Sequence, residues 1–435
     1  MQYNISPETM VGMNPEGTYV NKLLSRKLNL EHLKDKDVCM APNGATFKRD
    51  NAGFLPRLLD KMYQDRVVYK DKMMKAKKLY QETKDDKYKN EIARCHNIQW
   101  AKKIALNSAY GAIGNQYFRY YDVRQATAIT SSGQLVIRHI ETEVNNYMNK
   151  ILQTENVDYI VASDTDSIYL KLDSLVEKTC QDKTIDQKVN FIDKVAQQKI
   201  EPFIEKCFND LSDYTNAFEQ RMVMKREVIA DKAIWTAKKR YMLHVLDDEG
   251  IRLTKPKMKI MGIEAVKSST PEVCRGKIKE AIDMMMTKDN DTLIKFVADF
   301  REEFNQMTPE QISFPRSCNN LKKYRSSKDI FVKGTPIHVK GALIYNQKIK
   351  EHKIDHIYPA IQEGDKIKFI KLKSRNPFKH DVISYITKLP REFELNEYID
   401  RDIMFEKTFI TPLSFILESI GWDVEKKASL EAFFG

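Results

Sequence analysis

Glycine and proline are scarce. The chain has 15 and 14 of them in 435 residues, each about 3%, against average usages of roughly 7% and 5%. That disfavours a turn-rich all-β protein and leaves room for long helices. Long apolar runs are missing too: no stretch approaches the roughly 18 residues that a membrane helix needs. With 31% charged residues and a mean hydropathy of −0.53, an integral membrane protein is excluded. The six cysteines (Cys39, Cys95, Cys180, Cys207, Cys274 and Cys318) never lie within four residues of one another. No CxxC zinc or redox motif therefore exists, and scattered thiols in a chain of this size indicate a reducing cytoplasm. The opening Met1-Gln2-Tyr3-Asn4 lacks a basic region followed by an apolar run, so no signal peptide is expected. No internal repeat or low-complexity tract is present.

What the chain does have is length, core-forming residues and positive charge. At roughly 100–200 residues per domain, two to four domains are expected, and 42% hydrophobic content supplies their cores. Lys and Arg number 72 against 61 Asp and Glu, a net +11. Such an excess points to a polyanionic partner, a sign shared by ribosome-like and membrane-surface roles.

Residues 1–50 read as irregular, with turn signals at Asn14-Pro15-Glu16-Gly17 and Pro42-Asn43-Gly44. Residues 55–82 and 84–110 read as two long helices joined by a short polar link, hence an antiparallel hairpin. Between Leu55 and Lys103 stand 14 Lys and Arg against 7 Asp and Glu, so most of the net charge is gathered in this hairpin. Asp122 is a candidate N-cap for a third helix running to about Leu152. Its apolar residues, from Val123 and Ala126 to Val144 and Met148, recur at helical spacing. The period then switches. Two β-prone runs, Tyr159–Ala162 and Ile168–Leu172, flank Ser163-Asp164-Thr165-Asp166-Ser167, which predicts a β-hairpin with acids at its tip. Helix is expected again over 190–218, then a small antiparallel sheet over 221–262 with a turn at Asp247-Asp248-Glu249-Gly250. A helix opens at Ser269-Thr270-Pro271-Glu272, and the remainder is mostly helical with a β-prone interlude around 331–373. The class is α+β.

Two constellations carry chemistry. Asp164 and Asp166 are two apart, so on extended backbone they project to one side. Magnesium takes one or two carboxylates plus substrate phosphates, so this pair suits it; Asp, Thr and Ser are also ordinary turn residues. In the second helix Lys103, Asn107 and Tyr110 share a face, and in the first Arg66 and Lys70 are four apart. Together they offer three cations, an amide and a ring, enough to hold a triphosphate and stack on a base. Gly111 and Gly114 come directly after and permit close backbone approach. The other reading is a solvated basic face with Tyr110 in the core. Cations that gather phosphates and two acids on a hairpin fit two-metal phosphoryl transfer.

The run from Lys103 through Asn107-Ser108 to Tyr110-Gly111 resembles the K-x-x-x-N-S-x-Y-G fingers motif of family B DNA polymerases. Asp164-Thr165-Asp166-Ser167 resembles their D-T-D-S palm motif, and Lys238-Lys239-Arg240-Tyr241 their K-K-R-Y motif. The three occur in the family's order. Asn4-Ile5-Ser6-Pro7-Glu8-Thr9, Phe118-Arg119-Tyr120-Tyr121-Asp122, Lys259-Ile260-Met261-Gly262, Ser268-Ser269-Thr270-Pro271 and Lys426-Lys427-Ala428-Ser429-Leu430 are similar to T-even-type bacteriophage replicative polymerases.

The resemblance implies a right-hand polymerase core: partial palm at 1–53, helical-hairpin fingers at 54–115, palm at 116–262 with an antiparallel sheet, mostly helical thumb at 263–427 and a clamp-binding tail at 428–435. It implies a DNA-templated DNA polymerase with two Mg²⁺ ions, primer-template DNA and a dNTP, in the host cell cytoplasm and away from membranes. Asp166 becomes the principal metal ligand and Asp164 a secondary one. Arg66, Lys70 and Lys103 fall to the triphosphate, Asn107 to its orientation and Tyr110 to the nascent base pair. Lys238, Lys239, Arg240 and Tyr241 fall along the primer-template, Lys239 by charge and Tyr241 by hydrogen bond. Glu227 is placed near the metals or on a surface strand.

The family's other palm carboxylate lies in a D-x-x-S-L-Y-P-S motif that this chain does not include, and the exonuclease domain is absent as well. The expectation is the carboxy-terminal part of a split polymerase needing an amino-terminal polymerase and exonuclease subunit. The alternative is a DNA- and clamp-binding module without activity of its own. A reverse transcriptase, with Tyr-x-Asp-Asp, does not fit. Leu430, Phe433 and Phe434 fall at i, i+3 and i+4, the spacing of sliding-clamp-binding tails, with Lys427 where such tails carry Gln.

Overall fold

The computed structural model describes residues 1–14, 19–326 and 329–424. Leu430, Phe433 and Phe434, and so the whole expected clamp-binding tail, lie outside them. The chain forms two compact units, Met1–Ile229 with Asp247–Arg252, and Ala230–Leu246 with the residues from Leu253 onward. Helix and antiparallel sheet are mixed throughout, the α+β class expected. No helix among the described residues is long and apolar enough to cross a membrane.

In the first unit, the opening residues are more ordered than their turn signals implied. Met10–Met13, Ala45–Lys48 and Val38–Met40 form a three-stranded antiparallel sheet in that order. Cys39 and Phe47 on its strands are buried, with Tyr3 packed in the same cluster. Two long helices come next, Phe54–Thr83 and Lys87–Ile113. Lys84 takes a left-handed φ of 55° and ends the first by returning its N–H to Tyr80. Only a few side chains are buried between the helices, among them Met73, Ala76, Cys95 and Gln99. Lys102 on the second donates to Asp65 on the first at 2.8 Å.

The third helix spans Val123–Leu152, with the Asp122 side chain accepting from Arg124 N as its cap. Its buried stripe runs through Ala128, Leu135, Ile140, Val144, Met148 and Leu152; Val123 is exposed. From Leu135 onward this stripe is the spine of the unit's larger core, packed with Tyr19, Leu23, Leu33 and Phe208, while Ala128 joins the cluster around Tyr3 and Phe47. The helix expected over 190–218 begins earlier, at Ile185, capped reciprocally by Thr184 and Gln187. It passes through a π turn at Ala196–Ile200 before Glu201–Tyr214. Pro202 lies just beyond that turn. Its missing N–H and its ring disfavour the regular α ladder there, and a wider turn absorbs the mismatch.

The sheet expected over 221–262 is present as Val228–Ala237, Arg240–Asp248 and Ile251–Met261, in sequential order with two-residue links. The second unit then alternates helices with a second antiparallel sheet, ordered Val382–Tyr385, Lys366–Lys371, Phe314–Ser317. Phe300, Phe304, Phe405 and Phe409 pack ring against ring in its core, several of the pairs edge to face. The β-prone interlude is only partly strand. Ile337–Glu351 is a helix, and Val339, Leu343 and Ile344 on it are buried. Gly341 allows that helix to approach the strand Val382–Tyr385 closely, since a Cβ there would sit 2.5 Å from Ser384 Oγ.

Candidate active site

The acidic hairpin is built from Ile160–Asp164 and Ser167–Leu170, with Asp164 opposite Ser167 and Ser163 opposite Ile168. Its base is fastened to the third helix. Asn145 accepts from Tyr159 N at 2.8 Å, and Asn149 both accepts from Val157 N and donates to its carbonyl. A bulge falls between Ile160 and Ala162; such bulges bend a strand and re-aim the side chains beyond them. At the tip, Thr165 has a φ of +59°. Asp166 N reaches back to the Asp164 carbonyl at 2.6 Å, closing a γ-turn on a β-branched residue that disfavours it. The Thr165 hydroxyl donates to the Asp164 carboxylate at 3.0 Å.

The hairpin forms with its acids at the tip as expected, but the backbone between Asp164 and Asp166 is turned and not extended. Asp164 ends a strand whereas Asp166 is a turn residue, so their relation is set by the tip and not by strand alternation. Asp164 is half-buried and Asp166 exposed. These are hard oxygen donors, and magnesium needs few of them when phosphates complete its shell, so the donor set fits that ion. Among the described residues, no group of three or more His, Cys, Asp or Glu is placed to hold a metal.

On the helical hairpin, Asn107 and Tyr110 are exposed or nearly so, with Tyr110 at 44%, and Lys103 lies on the same outer face. This fits a ligand-facing surface better than a core role for the tyrosine. The Lys103 ammonium lies 5.5 Å from the Trp100 ring centre. A side chain at Gly111 would meet nothing within 4 Å. The Arg66 Nε is enclosed and lacks a hydrogen-bond partner. Lys70, by contrast, is engaged: its ammonium lies 2.8 Å from Glu249. The Lys102 ammonium holds the Asp65 carboxyl below its usual range.

Glu249 belongs to a network that sequence reasoning missed. Glu249 and Gly250 close a two-residue hairpin with φ of 52° and 81°, both positive as in a type I′ turn. Asp247, only 4% exposed, accepts from Gly250 N at 2.9 Å and from Arg226, and Arg252 lies 3.6 Å away. Arg226 also grips Asp193. Glu249 N donates to the Glu227 carbonyl at 2.6 Å, which ties Glu227 to this turn through its backbone. The available signal was a glutamate directly before glycine, a position that turn chemistry usually gives to a shorter side chain.

In the second unit, Lys238 and Lys239 form an exposed two-residue tip with Lys239 at φ 63°. Arg240 is half-buried and donates to Glu264 at 2.7 Å. Burial alone pushes the Glu264 carboxyl up, but Lys267 and Arg240 outweigh it and hold it below its usual range. Tyr241 is 6% exposed, its ring 6.3 Å from that of Trp235, so it does not share the lysines' surface. Gly262, at φ 67°, lies against the tip: a Cβ there would fall 2.1 Å from the Lys239 carbonyl oxygen.

A family model described as DNA polymerase family B matches residues 1–420. The DNA-directed DNA polymerase of Escherichia phage RB69 is 34% identical over 492 aligned positions, covering 100% of this chain and 53% of that protein. The DNA-directed DNA polymerase of Enterobacteria phage T4 is 31% identical, covering 100% of this chain and 54% of its own length. DNA polymerase 1 of Pyrococcus abyssi is 25% identical across 66% of this chain. The chain thus spans about half the length of the phage relatives.

Proposed function

The chain belongs to DNA polymerase family B, and from that premise we propose that it is the core of a DNA-templated DNA polymerase. A primer 3′-hydroxyl oxygen attacks the α-phosphorus of a deoxynucleoside triphosphate, the bond to the β-phosphate oxygen breaks, and pyrophosphate leaves with the hydroxyl proton lost to solvent. In this reading residues 54–115, built on the helical hairpin Phe54–Ile113, are the fingers, 1–53 and 116–262 are palm, and 263–427 are thumb. The observation that carries the proposal is the hairpin tip that presents Asp164 and Asp166 beside the strained Thr165. Backbone strain of this kind persists where the surroundings over-determine it, often at functional sites.

Asp166 and Asp164 would hold divalent metal, taken to be two Mg²⁺ ions, which neutralise charge developing on the phosphates. Arg66 and Lys103 bind the triphosphate, Lys70 joins them, Asn107 orients it, and Tyr110 lines the nascent base pair. Lys238 and Lys239 track the primer-template by charge. Arg240 supports that tip from beneath, and Tyr241 contributes its hydroxyl from a buried ring.

A further polymerase segment, amino-terminal to this one in the expected family order, would supply another metal carboxylate and the exonuclease. Val161, Ile151 and Val157 at the base of the acidic hairpin are 45%, 46% and 42% exposed, apolar surface that such a segment would cover. An obligate joint of this kind buries on the order of 2,000 Å² or more. The tail residues Leu430, Phe433 and Phe434 dock a sliding clamp, so truncation after Lys427 removes clamp-dependent long products and leaves short-primer extension unchanged.

The test is primer extension by the purified chain, with and without the amino-terminal half. Activity appears only in the mixture. Extension by the chain alone overturns the partner requirement. Duplex binding with no extension in either case favours a DNA- and clamp-binding module instead.

A further inference from the structure

We infer that Glu249 is a positioning residue for Lys70: its carboxylate sits on the ammonium where a nucleotide phosphate would otherwise bind, and so competes with that phosphate. The inference rests on the reading of Lys70 as a triphosphate ligand.

The geometry begins with the 2.8 Å pair itself, in which the two side chains are 34% and 27% exposed. A pair that far withdrawn from solvent is screened less than a surface one. Arg66, one turn earlier on the same helix face, has its Nε enclosed and unpartnered. One carboxylate therefore meets one of two neighbouring cations, and the face keeps positive charge for an incoming anion. Both groups that would sit on Lys70, a carboxylate and a phosphate, are oxygen anions that compete for the same ammonium.

The choice of residue points the same way. A type I′ turn favours Asn, Asp or Gly at its first central position, yet Glu249 stands there with a φ of 52°. A longer acid in a conformation that disfavours it needs a rigid mount, and the surrounding bonds supply one. Asp247 is buried and held by Arg226, Arg252 and Gly250 N, and Glu249 N is tied to the Glu227 carbonyl. The carboxylate is thus presented to Lys70 from a fixed turn. When the triphosphate binds, the ammonium exchanges one anion for the other, and Glu249 sets how much of the binding energy that exchange consumes.

The experiment uses Glu249→Asn, which suits a type I′ turn better than the natural residue and so preserves the fold. Single-turnover extension by the assembled polymerase is measured across a nucleotide series, together with duplex affinity. The half-saturating nucleotide concentration should fall by about threefold, the size expected of a partly exposed ion pair. The maximal rate and duplex affinity should stay within about twofold of the parent. The gain should vanish in a Lys70→Ala background. A simple structural salt bridge would move thermal stability and leave the nucleotide dependence alone, which overturns the inference. So does a large fall in maximal rate, because Glu249 would then act at the reacting centre. If Lys70→Ala by itself leaves the half-saturating concentration unchanged, the assignment of Lys70 to the triphosphate fails first.

Discussion

Two hairpins in the first unit end in two-residue tips rich in acid, and they treat those acids in opposite ways. Thr165-Asp166 and Glu249-Gly250 each put a non-glycine residue at positive φ, 59° and 52°. Beneath Glu249, the Asp247 carboxylate is buried and gripped by arginine. At the other tip Asp164 is half-buried and accepts from the Thr165 hydroxyl. Asp166 is exposed to solvent. A buried carboxylate has to be matched by cations, and once matched it is scaffold. An acid left in water keeps its lone pairs for a ligand. Charge alone does not separate these roles; burial and partners do.

The contrast is tested most severely at Asp166. Asp166→Asn should lower single-turnover extension by at least about a thousandfold, about 4 kcal/mol. Duplex affinity, which rests on cation–phosphate contacts, should hardly change. A variant keeping more than about a tenth of parental turnover would place Asp166 with the ordinary turn residues and erase the distinction. Next in size is Arg226→Met, which strands Asp247 as a buried, underpaired carboxylate. It should cost about 3 kcal/mol in urea unfolding, whereas Asp164→Asn should cost under about 1 kcal/mol. Equal losses at both tips would show that the acidic hairpin is scaffold too.

The helical hairpin sharpens the comparison from the side of the cations. Arg66→Ala and Lys103→Ala should each weaken nucleotide incorporation by about 1.5–3 kcal/mol with little effect on duplex binding. A loss confined to duplex affinity, read by anisotropy, would assign them to a DNA-binding surface instead. The smallest effect is expected at Thr165. Glycine tolerates its φ, so Thr165→Gly should raise stability by about 1 kcal/mol. Destabilisation in the same urea measurement would mean that the threonine hydroxyl on Asp164 outweighs the backbone strain.

Much of the first unit was legible in one dimension. The Asp122 cap, the Gly-poor helical hairpin, the period change at Tyr159 and the acids between two β-prone runs are local features. Short-range sterics and hydrogen bonding decide such features, so the helix over 122–152 and the β-hairpin over 159–170 form as read, apart from the turn that separates Asp164 from Asp166. The motif residues at Lys103, Asp164 and Lys238 are picked out by their resemblance to family B polymerase motifs, which local spacing alone does not settle. Other features needed the folded chain. Glu249 meets Lys70 and Arg226 meets Asp193 and Asp247 only because segments far apart in sequence come together. Gly262 looks like an ordinary turn glycine until its backbone is found against the Lys239 carbonyl. Tyr241 follows three basic residues in sequence and is expected along the primer-template, yet it is buried with Met242 and Leu243 and lies beside the Trp235 ring. Ion pairing and burial depend on distance in space, and a linear pattern encodes distance only within one helix turn or one strand repeat.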